Sequence, residues 1–533
     1  MEDRPKSVRA VYIWVALAAL ATNALSLAAS HLWVYPDSID YIVLAGGIAD
    51  RADFTNELYL VRTPGYPLLL AILFRLFGAW SPAAILVIQH AMAVATAVLT
   101  AALAWRLTAR RDVAWLAGVM CACSLQVLAY TNLVLTETPF TLTMTALAWY
   151  LVRFHQDGRR RDLAWASVLC GIGYLLKPIC LSALAVCVLV ALHRVWRSWR
   201  TPLPGAGGAS ASPTRGGAVL AVVGVTYALG PALAVAAPWM ALSAVSHHSL
   251  QATCCLDYVL YLRAVTFDGL DSTTSVAMRE IHETIAEAIR KGDLPPTADY
   301  RDRQTVIDAY RSVRNATFAK SSAVLGRAGR DLMREHPWAI AAGTVKYAAW
   351  MMISPDPVYR FQPGGARGVG GKRDTQADIY DIGTYSQGEG SWAPVLARTA
   401  HYLPLTTEPR ALTPLWMRIT QWLHRTIENG APIVGLGDSP YEELALLALL
   451  AGGLSLWTRQ RTAWLIVGAI VALHVLVSAF LGGPQTRYTL PIKPLMCLYF
   501  SLPAGVVFSA IRGLAGGITA SARKHASTAE SPA

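Results

Sequence analysis

Residues 462–483 read TAWLIVGAIVALHVLVSAFLGG, an unbroken apolar stretch in which His474 is the sole titratable side chain. Crossing a hydrocarbon core of about 30 Å takes roughly 20 predominantly apolar residues in a helix. The stretch therefore predicts a transmembrane helix. Working outward, similar runs recur at Val11–Ser30, Ala83–Trp105, Val113–Tyr130, Pro139–Val152, Leu163–Leu176, Ile179–Leu192, Ala218–Val245, Leu444–Trp457 and Leu495–Ile511. The shorter ones count as spans because the same pattern surrounds them. Of the 533 residues, 54% are hydrophobic and 15% charged, against about a quarter charged in an average soluble domain. The expectation is an all-α polytopic membrane protein with about ten transmembrane helices, several interfacial helices and a mostly helical segment outside the cytoplasm.

The net charge of +12 raises the question of a nucleic-acid partner, and its location answers it. With the N-terminus in the cytoplasm, the segments 1–10, 106–112, 153–162, 193–217, 458–461 and 512–533 fall inside. They hold 19 Lys and Arg against 6 Asp and Glu. This is the asymmetry that orients membrane proteins, so no nucleic acid is needed to explain the basic balance. The expected location is the plasma (inner) membrane, multi-pass, with a site facing away from the cytoplasm. The first span lacks a small-residue cleavage site and is expected to stay as a signal anchor. Six cysteines sit inside apolar runs, and the adjacent Cys254 and Cys255 form neither a disulfide framework nor a zinc spacing.

Three regions follow. A membrane core occupies 1–246, including a first outer loop at 31–65; an outer segment occupies 247–441; closing spans and a cytoplasmic tail occupy 442–533. Residues 201–217 read as a Pro/Gly/Ser-rich linker. In the outer segment, Val276, Ile281, Ile285 and Ile289 recur at near-helical spacing, and 303–335 and 411–427 show similar patterns. Its 21 basic and 20 acidic residues nearly cancel. The Gly-rich stretch 364–371 reads as a mobile loop without the strand and helix of a phosphate-binding loop. Residues 338–354 are apolar, but a crossing there would invert the rest of the topology. They read as an interfacial helix with Lys346 reaching the surface.

The polar groups of the outer face come from distant loops. Asp37 and Asp40 follow the first span, and Tyr41, Leu44, Ala45 and Ile48 predict a short helix along the membrane. A second short helix, carrying Arg75, is expected from Pro67 to about Gly78. Glu137 occupies the turn between the third and fourth spans, Lys177 and Pro178 that between the fifth and sixth, and Arg487 and Tyr488 the last outer loop. Carboxylates and cations gathered at one membrane face suit chemistry on a phosphate whose tail stays in lipid.

The runs DSIDYIVLA (37–45), RTPGYPLLLAILFRLFG (62–78), TETPFTLTMTALAWYL (136–151), GIGYLLKP (171–178), APWMALSAV (237–245) and RYTLPIKP (487–494) carry a resemblance. In this order they resemble the C-type (GT-C) polytopic glycosyltransferase superfamily, in particular bacterial members related to protein O-mannosyltransferases and lipid A aminoarabinose transferases. Residues 250–440 fall outside the resemblance. It implies an inverting glycosyltransferase that moves a sugar from a polyprenyl-phosphate donor to an extracytoplasmic acceptor (glycan, lipid or protein). A phosphate monoester leaves as an anion, so cations stabilise its growing charge; Lys177, Arg487 and Arg62 are the candidates. The acceptor hydroxyl needs a base. Asp37 matches the family's first-loop aspartate, Asp40 is the alternate, and Glu137 would assist. Tyr41, Tyr66 and Tyr488 are candidate substrate contacts. Ser38 stands where many relatives carry Glu, so no cofactor is implied and a divalent metal lacks support.

Each assignment has a plainer counterpart. Asp37 can cap a helix, Glu137 can complement a helix dipole beside Thr138-Pro139, and Lys177 can anchor a short span. His90 and His474 lie inside spans and read as hydrogen-bonded core groups. The main alternative function is a membrane transporter or flippase of a lipid-linked sugar, which would carry ionisable groups near mid-membrane.

Overall fold

The computed structural model describes residues 4–29, 32, 36–200, 213–247, 255–353, 451–482 and 486–507. They are overwhelmingly helical, and no strand occurs among them. In chain order the membrane core contains α1 (Arg4–Ala29), α2 (Pro36–Arg51), α3 (Gly65–Phe77), α4 (Ser81–Thr108), α5 (Arg111–Ala122), α6 (Leu125–Thr131), α7 (Glu137–Asp157), α8 (Arg160–Leu176), α9 (Leu181–Arg200) and α10 (Pro213–His247). The outer unit contains α11 (Cys255–Tyr261), α12 (Val276–Lys291), α13 (Arg303–Arg314), α14 (Phe318–Glu335) and α15 (Pro337–Ile353), and α16 (Arg461–Gly482) returns to the core.

Six segments are long and apolar enough to cross a membrane: Val8–Ala29, Gly65–Thr108, Pro178–Arg197, Val222–His247, Arg461–Leu481 and Thr489–Val507. The pair α5 and α6, bent by 47° at a short break, makes a seventh if it counts as one span. The protein is thus a multi-span helical membrane protein, and the described residues do not reach the expected ten. Two expected spans lie on α7 and α8. The latter has only 17 residues. The former is rich in threonine, and its composition follows from its position: nearly its whole length is buried in the bundle. There Thr141, Thr143 and Thr145 donate back to the carbonyls of Glu137, Pro139 and Thr141 at 2.7, 2.8 and 2.8 Å, so no hydroxyl needs water. The first half of the expected span at 444–457 lies outside the described residues, as do the whole amphipathic stretch at 411–427 and the Gly-rich stretch 364–371.

Close helix packing explains several small residues. Ser167 on α8 inserts its hydroxyl into the ladder of α10, accepting from Ala232 N at 2.9 Å and donating to Ala228 O at 2.7 Å. This repairs the backbone beside Pro231, which has no N–H to give. One turn along α8, a side chain on Gly171 would meet Val235 and the Ala232 carbonyl, so glycine sets the distance between these helices.

The helices α12–α14 form where the amphipathic spacing predicts them, and with α11 they enclose their own apolar core around Tyr261, Met278, Ile281, Ile307, Leu325 and Leu332. Ser275, Asp302 and Thr317 cap the three helix starts. Arg263, fully buried, joins this unit to the membrane core. It pairs with Asp268 and donates to the carbonyls of Ala479 on α16 and Ile340 on α15, both at 3.2 Å. The 17-residue α15 packs Ala348 and Met351 against Val475 and Ala479 in the last turns of α16, with Trp338 and Lys346 exposed.

One glycine contact is tight enough to test. A Cβ at Gly65 would fall 2.6 Å from the Leu175 carbonyl oxygen, a backbone atom that cannot swing away. Gly65→Ala is expected to lower stability by about 1–3 kcal/mol, the usual cost of overpacking. Gly224→Ala, whose Cβ would meet side chains of α9 at ordinary contact of 3.6 and 3.7 Å, should leave the thermal midpoint in detergent unchanged or slightly raised. Equal midpoints for both variants would contradict this packing.

Candidate active site

The site is built around the short connection between α2 and α3. Asp37 lies in the first turn of α2 and Asp40 one turn on, so both project from the same face of the helix. Arg62 reaches back to both. Its Nη2 donates to Asp37 Oδ1 at 2.6 Å and its Nε to Asp40 Oδ2 at 2.9 Å. All three side chains are largely covered, between 16% and 23% exposed. The guanidinium also lies 5.3 Å from the centre of the Tyr41 ring.

The residues after Arg62 fix its position. Thr63 Oγ1 donates to the Leu176 carbonyl at 3.0 Å, and Gly65 lets the chain approach Leu175. The RTPG sequence thus docks the loop onto the end of α8, one residue from Lys177. There α8 stops because Lys177 turns extended before Pro178. Lys177 Nζ pairs with Glu137 Oε1 at 2.7 Å, and Glu137 is almost fully buried in the first turn of α7. Behind the loop, Tyr59 packs at a tilt against Trp239 of α10, with ring centres 5.1 Å apart.

Tyr41 joins the two ion-pair groups. Its hydroxyl bonds Thr136, and its buried ring senses the charges of Arg62, Asp37 and Glu137 together. Burial, the largest influence, pushes its phenol well above the usual range. An edge-to-face contact at 5.3 Å links it to Tyr66, whose hydroxyl donates to Gln89 Oε1 at 3.0 Å. Gln89 in turn donates to the carbonyls of Thr131, the last residue of α6, and of Leu133 in the irregular link before α7, which also accepts from Leu135 N. Thr63, Gly65, Gln89 and Thr136 take part in the cluster without being among the sequence candidates. An amide inside the apolar run of α4 was the available signal for Gln89.

Seven of the nine sequence candidates are therefore gathered in one cluster: Asp37, Asp40, Tyr41, Arg62, Tyr66, Glu137 and Lys177. Tyr66 is 1% exposed and supports the cluster from behind. Arg487 and Tyr488 lie in the 3-10 turn Thr486–Ile492, which packs against α7 and α15, but their side chains are outside the described residues. Among the described residues no group of three or more His, Cys, Asp or Glu side chains is arranged to hold a metal ion. His90 is a hydrogen-bonded core group, with Nδ1 2.6 Å from Asn23 Oδ1 and Nε2 3.3 Å from Asn132 Oδ1.

Residues 61–212 match the family model described as dolichyl-phosphate-mannose-protein mannosyltransferase. The match includes Arg62, Tyr66, Glu137 and Lys177. It bears out, over that segment, the resemblance to the C-type glycosyltransferase superfamily, and supports a membrane glycosyltransferase. No curated protein sequence matches the chain. Among solved structures the chain is similar to ArnT from Cupriavidus metallidurans bound to undecaprenyl phosphate, at 13% identity and a TM-score of 0.37, covering 91% of this chain and 77% of that one. It is also similar to the arabinosyltransferase EmbB from Mycobacterium smegmatis (15% identity, 88% and 41% covered, TM-score 0.32). A third is the oligosaccharyltransferase of Archaeoglobus fulgidus in complex with zinc and sulfate (13%, 65% and 56%, 0.29).

Two outcomes follow from the charges. Lys177→Met strands the buried Glu137 carboxylate, and removing one partner of a buried pair costs about 3–5 kcal/mol. Adding Glu137→Gln should recover most of the lost thermal midpoint, and an additive double variant would refute the pairing. Burial, partly offset by Arg62, raises the Asp40 carboxyl above its usual range. A raised carboxyl favours the fold at low pH, and that contribution is lost as pH rises through its folded pKa. The midpoint of Asp40→Asn, measured against wild type, should therefore climb as pH rises from about 4 toward neutrality. A constant difference would show an ordinary Asp40.

Proposed function

We propose that the chain is an inverting glycosyltransferase that moves a sugar from a polyprenyl-phosphate donor to an acceptor hydroxyl outside the cytoplasm. The observation that carries this reading is the gathering of Asp37, Asp40, Arg62, Glu137 and Lys177 from three distant connections at one end of the bundle. The family match over 61–212 supports it. The basic excess of the segments at the other end supports an outward-facing site in the plasma membrane.

In this proposal the acceptor hydroxyl gives its proton to Asp37 as its oxygen attacks the anomeric carbon. The bond from that carbon to the phosphate oxygen breaks on the opposite face, and its electron pair leaves with the polyprenyl phosphate. Inversion follows from the single displacement. Arg62 holds Asp37 by one carboxylate oxygen and so fixes the direction of the other. Lys177, oriented by Glu137, and Arg487 stabilise the departing phosphate charge in a poorly hydrated site. The outer unit at 247–441 shapes the acceptor side. Asp40 is the alternate base.

Sugar release from a synthetic prenyl-phosphate donor tests the assignment. Asp37→Asn protein with an unchanged thermal midpoint should lose about 10²–10⁴-fold in kcat, the usual worth of a positioned base. Wild-type turnover would remove Asp37 from the mechanism. A donor lipid that is translocated by wild-type protein but never loses its sugar would favour a flippase instead. Mass spectrometry of the lipid that copurifies with the protein would name the donor headgroup.

A further inference from the structure

At the end of the bundle opposite the Asp37 cluster lies a cavity of about 400 Å³, lined by His155, His193, Trp196, Arg197, Arg459 and Arg461 among others. That volume is within the usual range of small-molecule sites, about 300–1,000 Å³. The last turn of α7, the last turns of α9 and the first turn of α16 form its walls. None of its lining residues is a carboxylate. The nearest acidic side chains on α7 and α8 are engaged elsewhere, Asp157 with Arg106 and Asp162 with Arg153. Among the described residues neither Arg459 nor Arg461 has an ion-pair partner.

A basic excess at this end is what membrane orientation demands, but orientation needs only charge, not a cavity. Two further features point to a ligand. His155 Nδ1 and His193 Nε2 are buried without a hydrogen-bond partner among the described residues, on rings stacked with centres 6.1 Å apart. Buried polar atoms are normally satisfied. The helix α16 also begins at the cavity wall, where Thr462 lines it. Of its first four backbone N–H groups, those of Arg461 and Trp464 bond the carbonyls of Thr458 and Gln460; the other two, with the positive end of the helix dipole, favour an anion. Trp196, partly exposed and next to His193, adds an apolar wall of the kind that tryptophans form at membrane interfaces.

We propose that this cavity is a binding site for a phosphate-bearing anion, supplied either by the headgroup of an anionic lipid or by a soluble phosphate. Arginine suits it because its fork of donors matches phosphate oxygens. The two histidines offer their unpartnered ring nitrogens to complete the shell. The site is separate from the Asp37 cluster and stands whether or not sugar transfer is the activity.

The test uses the purified full chain in detergent. Native mass spectrometry with equal amounts of phosphatidylglycerol and phosphatidylcholine reads the lipid source. Thermal shift with inorganic phosphate against chloride at matched ionic strength reads the soluble one. Wild type should retain phosphatidylglycerol over phosphatidylcholine by roughly tenfold, the scale of one charge-assisted hydrogen bond, or be protected by inorganic phosphate. Arg459→Gln combined with Arg461→Gln should abolish whichever effect is seen. Should the neutral pair fail to insert, His193→Phe, which keeps the formal charge, carries the same expectation of a weakened effect. Absence of both effects in wild type, or an effect untouched by the variants, would overturn the proposal.

Discussion

Three carboxylates and two cations stand at the site end of the bundle where water is scarce, and Arg62 is the group that lets them coexist. Asp37 and Asp40 sit one turn apart on α2 and would repel each other at that depth. A single guanidinium between them satisfies one oxygen of each, which a lysine's point charge could not do with the same geometry. The rest of the region is arranged to keep Arg62 there. Thr63 bonds the end of α8, Gly65 removes the bulk that would push the loop away, and Tyr59 rests on Trp239. The loop that carries Arg62 thus leans on the turn that carries Lys177. Position in one ion-pair group therefore constrains position in the other.

The two ends of the bundle use charge in opposite ways. At the site end, cations and carboxylates neutralise one another in near-stoichiometric groups. At the far end, Arg197, Arg459 and Arg461 surround a cavity with no acidic lining. Between them runs α7, from Glu137 at the site to His155 beside the cavity. Its threonines bond its own backbone, so it can be polar in composition and still sit in the middle of the bundle. In the proposed orientation the contrast has a physical reason: a reaction site must hold opposite charges in fixed places, whereas a cytoplasmic end is favoured by surplus basic charge.

The membrane class and most helices were legible because a span requires length and apolarity, which sequence displays directly. Amphipathic spacing gave α12 to α14 as well. The span count was less legible: α7 looks like a short apolar run, yet it is a longer, largely buried helix whose threonines hide their polarity. Site membership was legible at the level of which turns share a face, since alternating spans fix that. Pairing was not. Nothing in the spacing of Asp37, Asp40 and Arg62 says that one arginine serves both aspartates, because that depends on how the loop docks onto α8. Thr136 was invisible for the same reason, since it matters through Tyr41, far away in the chain; Gln89 showed only as an amide inside an apolar run, with nothing to name its partners.

Charge balance narrows what the cluster can accept. With all its groups ionised it carries one more negative than positive charge, and a donor phosphate would bring at least one more. Such a ligand would be repelled unless another cation or a proton joined. Burial already holds the Asp40 carboxyl above the usual range, so a proton there is the less costly adjustment. The other source is Arg487, on the turn that packs against α7. A donor-binding role for the cluster thus depends on a residue from the closing segment as much as on the first outer loop. In the proposal, a proton on Asp40 or the approach of Arg487 beside α7 lets the site hold its anion.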